Sequence, residues 1–90
     1  MIVKNIEYSR KFVKQLKRLP GEIQKTAFAK EDLFKANPLH PSLRLHSLSG
    51  RLKGVWSISI NKDYRIIFDR QPGGDILFIS IGKHDIYNCL

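Results

Sequence analysis

The chain is poor in cysteine, in acid and in long apolar runs, and each shortage removes a class of protein. Cys89 is its only cysteine. It cannot close an internal disulfide, which excludes a disulfide-stapled scaffold and fits a reducing, cytoplasmic setting. The longest apolar stretch, Ile76 to Ile81, is interrupted by Ser80 and is far shorter than the roughly 20 residues that cross a bilayer. Lys4 and Glu7 follow the opening Met1-Ile2-Val3 at once, a start unlike a secretory signal. No membrane association is expected. His40, His46, His84 and Cys89 lack the tight paired spacings of zinc sites, so no metal is expected. Phosphate loops, dinucleotide fingerprints and nucleophile elbows are absent too, and with them any expectation of a cofactor.

What the chain does have is positive charge. Sixteen Lys and Arg stand against 8 Asp and Glu, a formal net charge of +8, with a sequence pI near 9.9. A domain with pI above about 9 carries the electrostatic footprint of a nucleic-acid binder. Anionic headgroups or an acidic partner protein suit the same charge. At 90 residues and 42% hydrophobic composition, residues 1–90 are expected to fold as one domain around a modest core.

The first half reads helical and the second half reads as strands. Ile2 to Ile6 suits a short opening strand. Ser9 is placed to cap a helix through Leu19, its hydroxyl accepting an early backbone N–H. Phe12, Val13, Leu16 and Leu19 form that helix's apolar stripe, and Lys11, Lys14, Lys17 and Arg18 occupy its other faces. Pro20-Gly21 ends it. A second helix is expected from Glu22 to Ala36, with Ile23, Ala27 and Phe34 on one face and Asn37-Pro38 as its stop. Residues 37–54 form an extended connection holding Arg44, His46, Arg51 and Lys53.

Three strand-like runs follow. Trp56, Ile58 and Ile60 alternate with Val55, Ser57 and Ser59, and Tyr64, Ile66 and Phe68 with Arg65, Ile67 and Asp69; Ile76 to Ile81 is apolar on both faces and is expected to lie inside the sheet. Aligning the apolar faces of the first two runs requires Ile60 to pair with Tyr64, leaving Asn61-Lys62-Asp63 as a three-residue loop. A two-residue turn would bury the Arg65 charge. Ser57, Ser59 and Arg65 are therefore expected together on one less apolar face. The core is expected from Phe12, Leu16, Leu19, Ile23, Ala27, Phe34, Ile58, Ile60, Ile66, Phe68 and Phe78.

Candidate acid-base groups are His46, His84, Asp63, Glu7, Glu31 and Tyr87. Gly82-Lys83-His84-Asp85 directly follows the last apolar run, where a histidine beside a glycine is both anchored and accessible. Arg44, Arg51 and Lys53 flank His46 in sequence as phosphate contacts, which position a nucleic acid without reading it.

The order strand, two helices, three strands, carrying His46-Ser-Leu-Ser-Gly50, Lys53-Gly54, Asp63-Tyr64-Arg65-Ile66 and Gly82-Lys83-His84-Asp85, resembles the RelE/ParE toxin superfamily along essentially the whole chain, and within it the YafQ-type branch. The resemblance implies an α+β fold, an antiparallel sheet packed against two N-terminal helices. It also implies a cytoplasmic toxin of a type II toxin-antitoxin system: a metal-free endoribonuclease that cuts mRNA on the ribosome and is silenced by a cognate antitoxin. By residue, it implies catalytic roles for His46, Asp63, Arg65, His84 and Tyr87. Arg44, Arg51, Lys53 and Lys83 are expected, from their charge and position, to hold RNA. Two positions depart from the branch. Ser59 stands where a histidine can occur, and Tyr87 follows His84 by three positions rather than four. A ParE-like inhibitor of DNA gyrase and a non-catalytic RNA-binding domain are the alternative functions. Histidine and arginine favour cleavage over both, because phosphodiester transfer needs titrating groups and a planar cation.

Overall fold

The computed structural model describes residues 1–48 and 54–83. Arg51, Lys53, His84, Tyr87 and Cys89 therefore lie outside the described residues. The elements are β1 (Asn5–Tyr8), α1 (Arg10–Lys17), α2 (Gly21–Ala36), β2 (His46–Ser47), β3 (Val55–Ser59), β4 (Tyr64–Arg70) and β5 (Asp75–Lys83). A 3-10 turn at Pro41–Leu43 precedes β2, and another at Pro72–Gly74 joins β4 to β5.

Ser9 performs the capping expected of it and a second task besides. Its hydroxyl oxygen accepts the Phe12 N–H at 2.9 Å and donates to the Ile79 carbonyl at 2.7 Å, tying the start of α1 to β5. The helix stops at Lys17 rather than Leu19. Arg18 and Leu19 N–H groups bond the Gln15 and Leu16 carbonyls, an i→i−3 tightening that uses up the last turn before Pro20. At the far end of α2 the Asn37 N–H closes on the Leu33 carbonyl at 2.7 Å.

The five strands form one sheet in the order β1-β5-β4-β3-β2. The sheet is mixed, which corrects the expectation of an antiparallel one: β1 runs parallel to β5, with Ile6 beside Ile76 and Tyr8 beside Phe78. The chain leaves β1 through the helices rather than a hairpin, and such a crossover permits parallel pairing. β1 also lies later than the expected Ile2–Ile6. Ile2 is exposed, whereas the Tyr8 ring packs 5.5 Å from Phe12 and 5.9 Å from Phe78, so aromatic contacts fix the strand's position. β2 was not foreseen; two polar residues carry no alternation signal.

The β3–β4 hairpin has the expected register. Ile58 faces Ile66, Ser59 faces Arg65, and the Ile60 N–H bonds the Tyr64 carbonyl at 2.9 Å. The Asn61 side chain stabilises the loop by accepting both the Asp63 and Tyr64 N–H groups. Between sheet and helices, Phe34, Phe68 and Phe78 pack at centroid distances of 5.1 to 6.3 Å. Phe12, Ala27, Ile58, Ile60, Ile66, Ile76 and Ile81 complete the buried cluster. Of the expected core, Leu16 and Leu19 pack partly buried at its edge and Ile23 is half-buried. Leu43 is fully buried although it comes from a proline-rich connection, because the 3-10 turn directs it inward.

Beyond Tyr8, β5 has no strand partner on that side among the described residues, and α1 takes over. Gln15 accepts both the Ser80 hydroxyl and the Ile81 N–H, each at 2.9 Å. One side chain thus satisfies the strand edge that β1 vacates. This contact coincides with a register skip at Ile79, since Ile67 pairs with Ser80 while Phe68 pairs with Phe78.

Candidate functional site

Strand pairing brings part of the expected constellation onto the sheet face turned away from the helices. His46 on β2 sits opposite Ser57 on β3. Two residues along, Ser59 sits opposite Arg65 on β4, and Arg65 in turn sits opposite Gly82 on β5. Alternation places His46, Ser57, Ser59 and Arg65 on this one face. Two strand spacings and two residues of rise separate His46 from Arg65 by about 12 Å between backbones. That separation is the scale of one phosphodiester unit with its flanking sugars.

The His46 ring is exposed, and its Nδ1 has two neighbours: the Arg44 carbonyl at 3.3 Å and the Ser57 hydroxyl at 3.4 Å. A carbonyl oxygen only accepts, so in the tautomer with the proton on Nδ1 the ring donates to Arg44 and Nε2 keeps its lone pair, the form a general base needs; in the other tautomer the Ser57 hydroxyl donates to Nδ1. Arg44 reaches the contact because its backbone turns left-handed, φ 47°, at the end of the 3-10 turn. Its own side chain is exposed beside His46.

Ser57 and Ser59 are both buried. The Ser59 hydroxyl is directed into the hairpin loop, donating to the Asn61 carbonyl at 2.7 Å. It therefore rigidifies the approach to Arg65 rather than presenting a free group. Arg65 is half-buried, and glycine at position 82 places no side chain beside it.

The remaining candidates are distributed differently. Asp63 is exposed in the hairpin loop, next to the start of β4. Lys83 pairs with Tyr64 and holds its ammonium 5.7 Å from that ring, on the helix side of the sheet. It is therefore on the opposite face from His46 and Arg65. Trp56 is half-buried against the core with the Arg70 guanidinium 5.3 Å from its ring centroid. Among the described residues, no three His, Cys, Asp or Glu side chains converge on a point that would hold a metal ion. Sequence reasoning did not foresee Ser57 or the Arg44 carbonyl as the groups that orient His46. The available signal was the serine interruption of an otherwise apolar strand.

Residues 4–87 match the family model described as the bacterial toxin of type II toxin-antitoxin system, YafQ. A sequence search of curated proteins returns no significant match. Among solved structures, the chain is similar to YafQ from E. coli, with a TM-score of 0.76 and 22% identity, covering 91% of this chain and 94% of that one. It is similar to a YoeB/ParE toxin from Agrobacterium tumefaciens at TM-score 0.75 and 15% identity, over 90% and 99% of the two chains. The archaeal RelE–RelB complex from Pyrococcus horikoshii contains a chain matching at TM-score 0.70 and 18% identity, over 92% and 96%. At these identities the structural likeness establishes the fold.

Proposed function

This chain belongs to the YafQ family of type II toxin-antitoxin toxins, and on that premise we propose that it is an endoribonuclease that cuts mRNA on the ribosome and is silenced by an antitoxin. The observation that carries the catalytic part is the His46 ring, held through Nδ1 by the Arg44 carbonyl and Ser57 on the same sheet face as Arg65. His46 Nε2 removes the proton from a ribose 2′-hydroxyl. The 2′-oxygen then attacks the adjacent phosphorus, and the bond from phosphorus to the 5′-oxygen breaks. The Arg65 guanidinium takes up the extra negative charge of the pentacoordinate transition state. The departing 5′-oxygen gains a proton from a general acid, a role we assign to His84. The products are a 2′,3′-cyclic phosphate and a 5′-hydroxyl, so no metal or hydrolytic water is required in this step. Arg44, with Arg51 and Lys53, holds the phosphate backbone; Lys83, on the other face of the sheet, is not part of this set. Asp63 and Tyr87 complete the proposed set.

The reading is supported by the residue types as much as by their placement. Each proton transfer by a positioned histidine is worth about 10²–10⁴-fold, and an exposed ring with one nitrogen tethered is poised for it. A complex of the E. coli YafQ toxin with DinJ also matches this chain, at 22% identity and TM-score 0.74, which supports an antitoxin as partner here. The test is a ribosome-programmed translation reaction on a defined mRNA, with the 5′ ends mapped. Wild-type protein is expected to generate discrete new ends, and His46→Ala and His84→Ala each to lower the rate at least about tenfold. Intact message together with blocked DNA supercoiling would replace this reading with gyrase inhibition.

A further inference from the structure

The connection between α2 and β2 holds a side-chain cluster that the proposed chemistry does not use. His40 Nδ1 accepts the Ser42 backbone N–H at 3.1 Å and so caps the 3-10 turn at Pro41–Leu43. A ring nitrogen that accepts carries no proton, so the Ser42 hydroxyl, 2.9 Å from the same atom, donates to it as well. The hydroxyl oxygen in turn accepts the Lys30 ammonium, reaching over from α2, at 3.1 Å.

What this cluster holds is backbone. Leu43, the last residue of the turn, is fully buried. The Leu43 and Arg44 N–H groups close on the His40 and Pro41 carbonyls at 3.0 and 3.2 Å. Arg44 then leaves the turn at φ 47° and ψ 47°, a conformation that a residue with a β-carbon keeps only when its surroundings impose it. The direction of the Arg44 carbonyl follows from that conformation.

That carbonyl bears on where the His46 proton sits. A ring protonated on Nδ1 donates to the Arg44 carbonyl, and a ring protonated on Nε2 accepts the Ser57 hydroxyl instead. The two neighbours stand at 3.3 and 3.4 Å, so distance alone selects neither form. Ser57 is fully buried within β3, and the sheet fixes it in either case. The balance therefore turns on how firmly the carbonyl is held, because an acceptor already in place needs no reorganisation to receive the proton.

We propose that Lys30, His40 and Ser42 are positioning residues: by fixing the Arg44 carbonyl they select the Nδ1-protonated tautomer of His46. That this tautomer is the one that cuts RNA rests on the catalytic reading above. The selection itself does not.

The test is nitrogen NMR of the full chain with isotope-labelled histidine, at a pH where the rings are neutral, since protonated and unprotonated ring nitrogens differ in chemical shift. The chain has 3 histidines, and the His46 signals are those that His46→Gln removes. Wild type is expected to carry the His46 proton chiefly on Nδ1. His40→Leu removes the capping acceptor and is expected to move the ratio of the two forms at least about threefold toward Nε2, the low end of what one net hydrogen bond is worth. His40→Asn puts a carbonyl oxygen where Nδ1 was and is expected to restore the wild-type ratio. Lys30→Met removes only the ammonium and is expected to shift the ratio in the same direction; it carries the test if His40→Leu does not fold. Single-turnover cleavage by the same proteins is expected to fall in proportion to the Nδ1-protonated fraction, with mRNA affinity unchanged. A lower melting temperature with an unaltered ratio would mark a purely structural role and overturns the proposal. So does a wild-type ring protonated on Nε2, or an asparagine variant that behaves like the leucine one. If the ratio responds as expected while wild type cuts no RNA, the positioning stands and the catalytic reading alone falls.

Discussion

Replacing Gln15 by leucine tests how the candidate site is held in place. Gln15 is the sole described acceptor for two groups on β5, the Ser80 hydroxyl and the Ile81 N–H, and both residues are essentially inaccessible, at 0% and 1% exposure. Leucine is of similar size, so it leaves both donors unpaired and admits little water to replace the lost oxygen. Each buried unpaired group costs about 1–3 kcal/mol. Because the two share one acceptor, a combined loss of about 2–4 kcal/mol is expected. That is a large part of the 5–15 kcal/mol typical of a small domain. At about 4–8 °C per kcal/mol for this chain length, the melting temperature should fall by roughly 10–25 °C. Thermal unfolding followed by circular dichroism reads this directly, and the Ile81 amide should lose its protection from hydrogen exchange. Gln15→Glu keeps an acceptor at the same reach and should lose much less. A fall below about 3 °C for Gln15→Leu would show that β5 does not depend on this edge contact, and the account of how Gly82 is held beside Arg65 would fail with it.

Arg65→Met keeps the length of the side chain but removes its charge; single-turnover cleavage should drop about 10²–10³-fold while the melting temperature stays near wild type, and Arg65→Lys should recover only part because it lacks the planar fork. Burial, and then the hydrogen bond to Glu31, push the Tyr8 hydroxyl up from 10.0 to about 12. One of the 3 tyrosines should therefore ionise late in an ultraviolet pH titration, and Tyr8→Phe should remove that late step. Since the folded value is the higher one, the stability this contact contributes is fully present below pH 10 and is lost as the pH rises through 12. Gly73 and Gly74 both have positive φ, at 78° and 91°, but a methyl group at 74 would meet Lys4 Cγ at 3.0 Å and the Ile2 carbonyl at 3.3 Å, whereas one at 73 meets nothing within 4 Å. Gly74→Ala should thus cost more in denaturant unfolding than Gly73→Ala, whose penalty should stay near the roughly 1–2 kcal/mol of the left-handed conformation alone.

How much of this protein was legible in advance depended on the range of the interactions involved. The helices could be read because Ser9, Pro20 and Asn37-Pro38 act on their immediate neighbours. The β3–β4 register could be read because burying Arg65 on the Trp56/Ile58 face costs more than a three-residue loop. The placing of Ser57, Ser59 and Arg65 on one face followed from that register. The parallel pairing of β1, the short strand at His46, the inward turn of Leu43 and the sealing of β5 by Gln15 could not be read. Each joins residues far apart in the chain, or depends on a backbone turn such as the left-handed Arg44 that no local pattern announces. The shortage of acid and cysteine, the positive charge and the alternation of apolar residues were sequence properties from the start, because composition and period act without knowledge of the fold. Which cations share a face with His46 and Arg65 was decided only when the sheet put those two on one side and the helices on the other.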